Sequence, residues 1–87
     1  MSDDPMVSVI LPAVRALAAS GALPRSLAQR PLTADTAIDD LGLDSLATLT
    51  LLSEVEERAD LMLSEGEIVG LRTLGDLARL LVERARP

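Results

Sequence analysis

Apolar residues recur with helical spacing in four stretches of the chain. The stripe of the first stretch has the spacing i, i+3, i+4, i+7 of one helix face, and it consists of Val7, Ile10, Leu11, Val14, Leu17 and Ala18. Pro5 suits the first turn of a helix, and Gly21 suits its end. Pro12 lies within the stretch and cannot donate a hydrogen bond to the Ser8 carbonyl. We therefore predict a first helix that either kinks at Pro12 or starts properly near Leu11.

A long connection without sustained periodicity follows, over residues 21–44. Pro24 and Pro31 interrupt it, single apolar residues are spaced along it, and residues 25–30 have room for one turn. A connection of this length is uncommon within a compact domain and is usually functional when it is ordered. We expect it to join two helices that lie far apart or cross at an angle.

The second helix is predicted over residues 45–58. Its core stripe consists of Thr48, Leu51, Leu52, Val55 and Ala59. Leu46 and Leu49 fall partly outside this stripe, so the helix presents two leucines to solvent. The carboxylates that line the rest of the helix are Glu54, Glu56 and Glu57. An apolar patch with a charged rim is typical of a docking surface.

Capping residues mark the starts of the remaining helices. Ser64 and Glu67 have the spacing of an N-cap and an N3 residue, and Gly70 ends their helix within two turns. Thr73 and Asp76 repeat the spacing before the last helix. The buried face of that helix is predicted to consist of Leu74, Leu77, Ala78, Leu80 and Leu81.

These elements predict an all-α fold, a four-helix bundle with a long first loop and a short third helix. No stretch alternates as a strand does. The 87 residues make one domain, and their 48% hydrophobic content supplies one core, built without any aromatic side chain. We expect a single domain over residues 1–87, with disordered ends at residues 1–5 and 86–87.

Negative charge is concentrated in the middle of the chain. Residues 35–67 contain ten acidic residues and one basic residue, Arg58, within a chain of net charge −6. A field of this sign repels nucleic acid and anionic lipid and attracts partners with basic patches. A solvated helix face explains most charge runs, but exposed helices usually intersperse Arg or Lys among the acids.

The composition argues against catalysis and metal binding. The chain has no Cys, His, Lys or Tyr, which removes thiolate and imidazole ligands and most general bases. A nucleophilic Ser45 needs such a base. The aspartates between residues 35 and 44 fit a calcium loop in no register, because the Gly and Glu of that loop are out of place. We predict neither an enzyme nor a metal site.

The apolar N-terminal stretch does not read as an export signal. Asp3 and Asp4 stand where a secretory signal has basic residues, and Arg15 interrupts the apolar run. No stretch is long enough and free enough of charge to span a bilayer. We therefore expect a cytoplasmic protein that does not enter a membrane.

Residues 40–46 (Asp-Leu-Gly-Leu-Asp-Ser-Leu) resemble the modification site of acyl carrier proteins. The order of helices, the length, the acidity and residues 71–77 (Leu-Arg-Thr-Leu-Gly-Asp-Leu) are similar as well, so the resemblance covers residues 7–85. It implies a 4′-phosphopantetheine arm esterified to Ser45, flanked by Asp44 and Leu46, with an acyl group held as a thioester at its tip. The positive end of a helix also favours a phosphodiester at this place.

The resemblance implies partners too. A phosphopantetheinyl transferase would install the arm from coenzyme A, an acyltransferase or acyl-loading ligase would charge it, and ketosynthase-type enzymes would use the cargo. These enzymes would dock on the second helix, at positions that include Leu49, Glu54, Glu56 and Glu57. The motif is closer to polyketide-type than to peptidyl carriers, so we expect a carrier of polyketide intermediates. We also expect it to be a discrete, monomeric bacterial protein.

Other functions stay open at this point. The cargo of such a carrier can be an aminoacyl or peptidyl group, or an intermediate of fatty-acid synthesis. A different class of protein, an unmodified helical adaptor, would use Ser45 only as the N-cap of the second helix, which is a common role for serine.

Overall fold

The computed structural model describes residues 4–85. The predicted disorder of residues 1–3 and 86–87 lies outside this range. Asp4 and Pro5 stand at the start of the first helix, where the Asp4 carboxylate accepts a hydrogen bond from the Met6 N–H at 3.0 Å. Among the described residues, no helix is long and apolar enough to cross a membrane.

The fold is all-α, as predicted. The first helix opens with a π-helical segment, Met6–Ile10, and continues as α1, Leu11–Ser20. The long connection contains two 3-10 turns, Arg25–Ala28 and Ile38–Leu41. The other helices are α2 (Ser45–Ala59), α3 (Glu65–Val69) and α4 (Leu74–Ala85). Within residues 4–85 there is no β-strand, and extended pairing is limited to an isolated bridge between Ala37 and Thr73.

The first helix changes its hydrogen bonding close to Pro12. Regular α-helix begins at Leu11, which is the second of the two predicted outcomes. The Leu11 N–H bonds to the Met6 carbonyl, five residues back rather than four. This wider turn shifts the phase of the helix. The prediction that Val7 belongs to the core stripe is therefore wrong: Val7 is 66% exposed, and Met6 is buried in its place.

One apolar core joins the helices and the long connection. Its least exposed large side chains come from the first helix, the connection, α2 and α4, and they are Ile10, Val14, Leu27, Leu51, Val55, Leu74 and Leu77. The connection contributes further buried leucines at Leu23, Leu32 and Leu41. The apolar residues spaced along residues 21–44 thus pack this long segment against the helices. This packing explains how the segment is ordered although it contains only two short 3-10 turns.

The predicted capping box at Ser64 and the predicted cap at Thr73 both form. The Ser64 N–H donates to the Glu67 carboxylate at 3.0 Å, and the Glu67 N–H donates to the Ser64 hydroxyl at 3.3 Å. Thr73 and Asp76 exchange the same pair of bonds before α4. Glu67 also pairs with Arg84. The Arg84 hydrogen bond and those from Ser64 lower the pKa of Glu67 to about 2, so this carboxylate stays ionised even in mildly acidic solution and ties α3 to α4.

The connection runs along the start of α4 through backbone hydrogen bonds. The Gly75 N–H donates to the Ala34 carbonyl at 2.8 Å, and the Leu74 N–H donates to the Thr36 carbonyl at 3.0 Å. In the opposite direction, the Ile38 N–H donates to the Arg72 carbonyl at 2.8 Å. These bonds fix residues 34–38, and with them the start of the second 3-10 turn, which leads into α2.

Candidate functional site

The site predicted at Ser45 lies at the first residue of α2. The second 3-10 turn brings the chain there and is held to the core by Leu41, which is 3% exposed. Gly42 then adopts a φ of 72°, a left-handed conformation that favours glycine. This conformation ends the turn and redirects the chain, so that Leu43 and Asp44 lead directly into the helix.

Asp44 is the N-cap of α2. Its carboxylate accepts a hydrogen bond from the Ala47 N–H at 2.7 Å, and its carbonyl accepts one from the Thr48 N–H at 2.9 Å. The alternative in which Ser45 caps the helix is therefore wrong. Asp and Ser cap helices about equally well, so the cap falls one residue earlier and the Ser45 hydroxyl has no part in it. That hydroxyl is exposed and makes no hydrogen bond within residues 4–85.

The start of α2 fits an esterified phosphate. The N–H groups of Ser45 and Leu46 have no acceptor among the described residues, and free N–H groups at the positive end of a helix favour an anion. Both side chains are exposed, so nothing described covers the hydroxyl that would carry the group. Asp44, Ser45 and Leu46 are consecutive in the sequence, and all three are exposed on the surface of the protein.

One face of α2 remains uncovered next to Ser45. Leu46 is 74% exposed and Leu49 is 58% exposed, in agreement with their predicted position outside the core stripe. Ser53 and Glu57 continue the same row at helical spacing and are also exposed. We call Leu46, Leu49, Ser53 and Glu57 the exposed α2 face.

The three glutamates predicted to line α2 have different environments. Glu54 pairs with Arg58 at 2.7 Å, one helical turn along. The Glu56 carboxylate accepts a hydrogen bond from the Leu63 N–H at 2.7 Å and so holds the connection to α3. Glu57 belongs to the exposed α2 face, whereas Glu54 and Glu56 are half-buried and already engaged within the fold.

Two features near the site were missed in the sequence. The first is a cavity of about 160 Å³ behind α2, lined by Ile38, Asp39, Thr48, Leu51, Leu52, Ile68, Leu71 and Leu77. It arises where residues from α2, α3, α4 and the second 3-10 turn meet, and no local pattern signals such a meeting. The second is a pair of arginines, Arg15 and Arg30, that bond to backbone carbonyls of the long connection. Within the described residues, no group of three or more acidic side chains is placed to hold a metal ion.

Comparison with known proteins decides the family. The family model described as "Phosphopantetheine attachment site" matches residues 14–81, which is most of the chain. The chain belongs to the acyl carrier protein family. The acyl carrier proteins of Streptococcus pyogenes serotype M1 and of serotype M3 are each 36% identical to it over 55 residues, which is 63% of this chain and 72% of theirs. No solved structure is significantly similar to the chain.

Membership of the acyl carrier protein family confirms the resemblance noted in the sequence. The family consists of carrier domains that are not themselves catalysts, and its cofactor is covalently bound 4′-phosphopantetheine. The described residues agree with such a cofactor at the start of α2, where a reachable hydroxyl and free N–H groups coincide.

Proposed function

We propose that this acyl carrier protein bears its phosphopantetheine arm on Ser45 and shuttles polyketide intermediates between partner enzymes. The observation that carries the proposal is the exposed Ser45 hydroxyl, which the Asp44 cap leaves free of hydrogen bonds within the described residues. Nothing in the chain activates this hydroxyl, because the usual bases, His and Lys, are missing from the sequence. The arm therefore has to be installed by a separate phosphopantetheinyl transferase, and it supplies the thiol that the chain lacks.

Two observations support a polyketide cargo. Residues 42–46 (Gly-Leu-Asp-Ser-Leu) resemble the motif of polyketide-type carriers. The cavity of about 160 Å³ behind α2 is small and has polar groups, Asp39 and Thr48, among its apolar lining residues. A short cargo fits a cavity of this volume better than a long alkyl chain does.

A role in fatty-acid synthesis is the second candidate. It is favoured by the matched relatives, which are named acyl carrier proteins without a polyketide designation. The two functions differ in the enzymes that load and use the carrier, so the loading step separates them.

The test is to charge the phosphopantetheine form with purified enzymes and follow its intact mass. An acyltransferase and ketosynthase of the polyketide type, the corresponding pair from fatty-acid synthesis and an aminoacyl-loading ligase are compared at equal concentration. We expect the highest charging and extension rates with the polyketide pair. Preference for the fatty-acid pair would establish the second candidate, and charging by the aminoacyl ligase alone would contradict both.

The exposed α2 face is the docking surface of the proposed carrier. Leu46 and Leu49 supply exposed apolar area beside Ser45, and Glu57 supplies negative charge farther along the same row. Charges at the rim of an interface mainly accelerate and orient encounters rather than tighten the complex. Such an arrangement suits a carrier that must release each partner, and it selects partners whose entrances carry Arg or Lys.

Charge reversal at Glu57 tests this docking surface. Glu57→Lys is expected to lower kcat/KM for acyl transfer with a cognate partner by about threefold at low salt, and added salt should reduce the difference by screening. Steady-state transfer assays at several salt concentrations measure the effect. Glu57 is preferred to Glu56, because reversal at Glu56 would also break the hydrogen bond to the Leu63 N–H.

Glu83→Lys is the matched control, since Glu83 is an exposed glutamate on α4. It changes the net charge equally but lies outside the exposed α2 face, so the transfer rate should stay near that of the wild type. Equal slowing by both variants would mean that only net charge matters. Unchanged rates in both would mean that the acidic side of α2 serves solvation alone.

A further inference from the structure

Two arginines link α1 to the segment that precedes Ser45. The Arg15 guanidinium, on α1, donates to the Leu27 carbonyl and, at 2.8 Å, to the Arg30 carbonyl. The Arg30 guanidinium in turn donates to the Asp40 carbonyl at 2.7 Å. The two side chains thus act in series, from the helix to the middle of the connection and from there to the second 3-10 turn. Both arginines are half-buried.

Both arginines donate to backbone carbonyls rather than to carboxylates, so this link positions the chain and does not pair charges. Acidic side chains surround the segment, with Asp39, Asp40 and Asp44 all within five residues of one another. Arg30 nevertheless donates to the backbone of Asp40. A hydrogen bond from a charged donor is roughly twice as strong as a neutral one, and a backbone acceptor fixes the path of the chain itself.

The Arg30 hydrogen bond holds the exposed side of the second 3-10 turn, which is not anchored by the core. Leu41 anchors the second 3-10 turn to the core, and the Ile38 N–H bonds to the Arg72 carbonyl near α4. The side chain of Asp40 is exposed, and Arg30 approaches this residue from the connection. From Asp40 the chain reaches Ser45 in five residues, through Gly42 in its left-handed conformation and the Asp44 cap.

We propose that Arg30 is a positioning residue for the modification of Ser45. It keeps residues 38–44 in the one arrangement that presents the hydroxyl to a phosphopantetheinyl transferase, so that the enzyme does not have to order this segment on binding. Arg15 supports Arg30 from α1. The inference rests on the proposed attachment of the arm to Ser45. If the competent arrangement is only fractionally populated, the apparent affinity falls by that fraction.

The test uses Arg30→Met, which keeps an apolar stem of similar length and removes the donor. Modification by a broad-specificity transferase with coenzyme A is followed by intact mass over a range of carrier concentrations. We expect KM for the carrier to rise about fivefold while kcat stays near the wild-type value. Hydrogen exchange of the backbone amides of residues 38–44 should become faster, and the thermal midpoint should change by only a few degrees.

Arg25→Met is the matched control, because Arg25 is an exposed arginine in the same connection and its replacement changes the net charge equally. It should leave KM and the exchange of residues 38–44 unchanged. An equal rise of KM in both variants, or wild-type KM and exchange in Arg30→Met, would overturn the proposal. Failure of the wild-type protein to gain the arm would instead refute the attachment at Ser45, and the exchange measurement would then still decide whether Arg30 orders the segment.

Discussion

Gly75→Ala is expected to lower the thermal midpoint of unfolding by roughly 5–20 °C. A Cβ atom at Gly75 would lie 2.8 Å from the Ala34 carbonyl oxygen and 2.9 Å from the Ala34 Cβ. The Gly75 N–H bonds to that same carbonyl, so the backbone of the connection cannot move aside without losing a hydrogen bond. Overpacking of this kind typically costs about 1–3 kcal/mol. Thermal unfolding followed by circular dichroism measures the effect.

Gly66→Ala is the control for the intrinsic effect of adding a methyl group to a helix. A Cβ at Gly66 meets nothing within 4 Å, and alanine is favoured over glycine in a helix by roughly 1 kcal/mol. The midpoint of this variant should therefore stay constant or rise. An unchanged midpoint in Gly75→Ala would contradict the close approach of the connection to α4.

The order and ends of the helices could be predicted because their signals are local. Ser64 with Glu67 and Thr73 with Asp76 are capping pairs whose partners lie three residues apart, and Ser64 and Thr73 cap their helices as predicted. The exposure of Leu46 and Leu49 follows from helical periodicity alone. The site segment was recognised for a similar reason, since its residues are contiguous in the sequence.

The wrong predictions concern places where two neighbouring residues suit the same structural role almost equally well. Asp44 and Ser45 are adjacent and both make good caps, so the sequence does not decide between them, and the structure places the cap at Asp44. The first helix contains apolar residues at both Met6 and Val7. Which of them is buried depends on the π-helical turn, because this turn changes the phase of the stripe.

The contacts that hold the long connection could not be predicted for a different reason. Arg15, Arg30 and Gly75 all interact with backbone carbonyls that are ten or more residues away in sequence. Every residue offers a carbonyl, so no residue type marks the acceptor and no spacing rule identifies it. The cavity behind α2 depends in the same way on how separate elements meet.

Ser45→Ala is expected to abolish modification completely. The arm is attached through the serine oxygen, and the variant lacks that atom. The fold should persist, because Asp44 supplies the helix cap and the Ser45 side chain makes no hydrogen bond within the described residues. Circular dichroism should therefore show the same helix content and a thermal midpoint close to that of the wild type. Ser26→Ala is the matched control, since Ser26 is an exposed serine outside the exposed α2 face.

The most direct measurement is the intact mass of the wild-type protein, Ser45→Ala and Ser26→Ala after incubation with coenzyme A and a broad-specificity phosphopantetheinyl transferase. We predict that the wild type and Ser26→Ala each gain the mass of one phosphopantetheine and that Ser45→Ala gains none. A wild-type mass that never rises, or an equal rise in Ser45→Ala, would contradict the assignment of Ser45 as the attachment site.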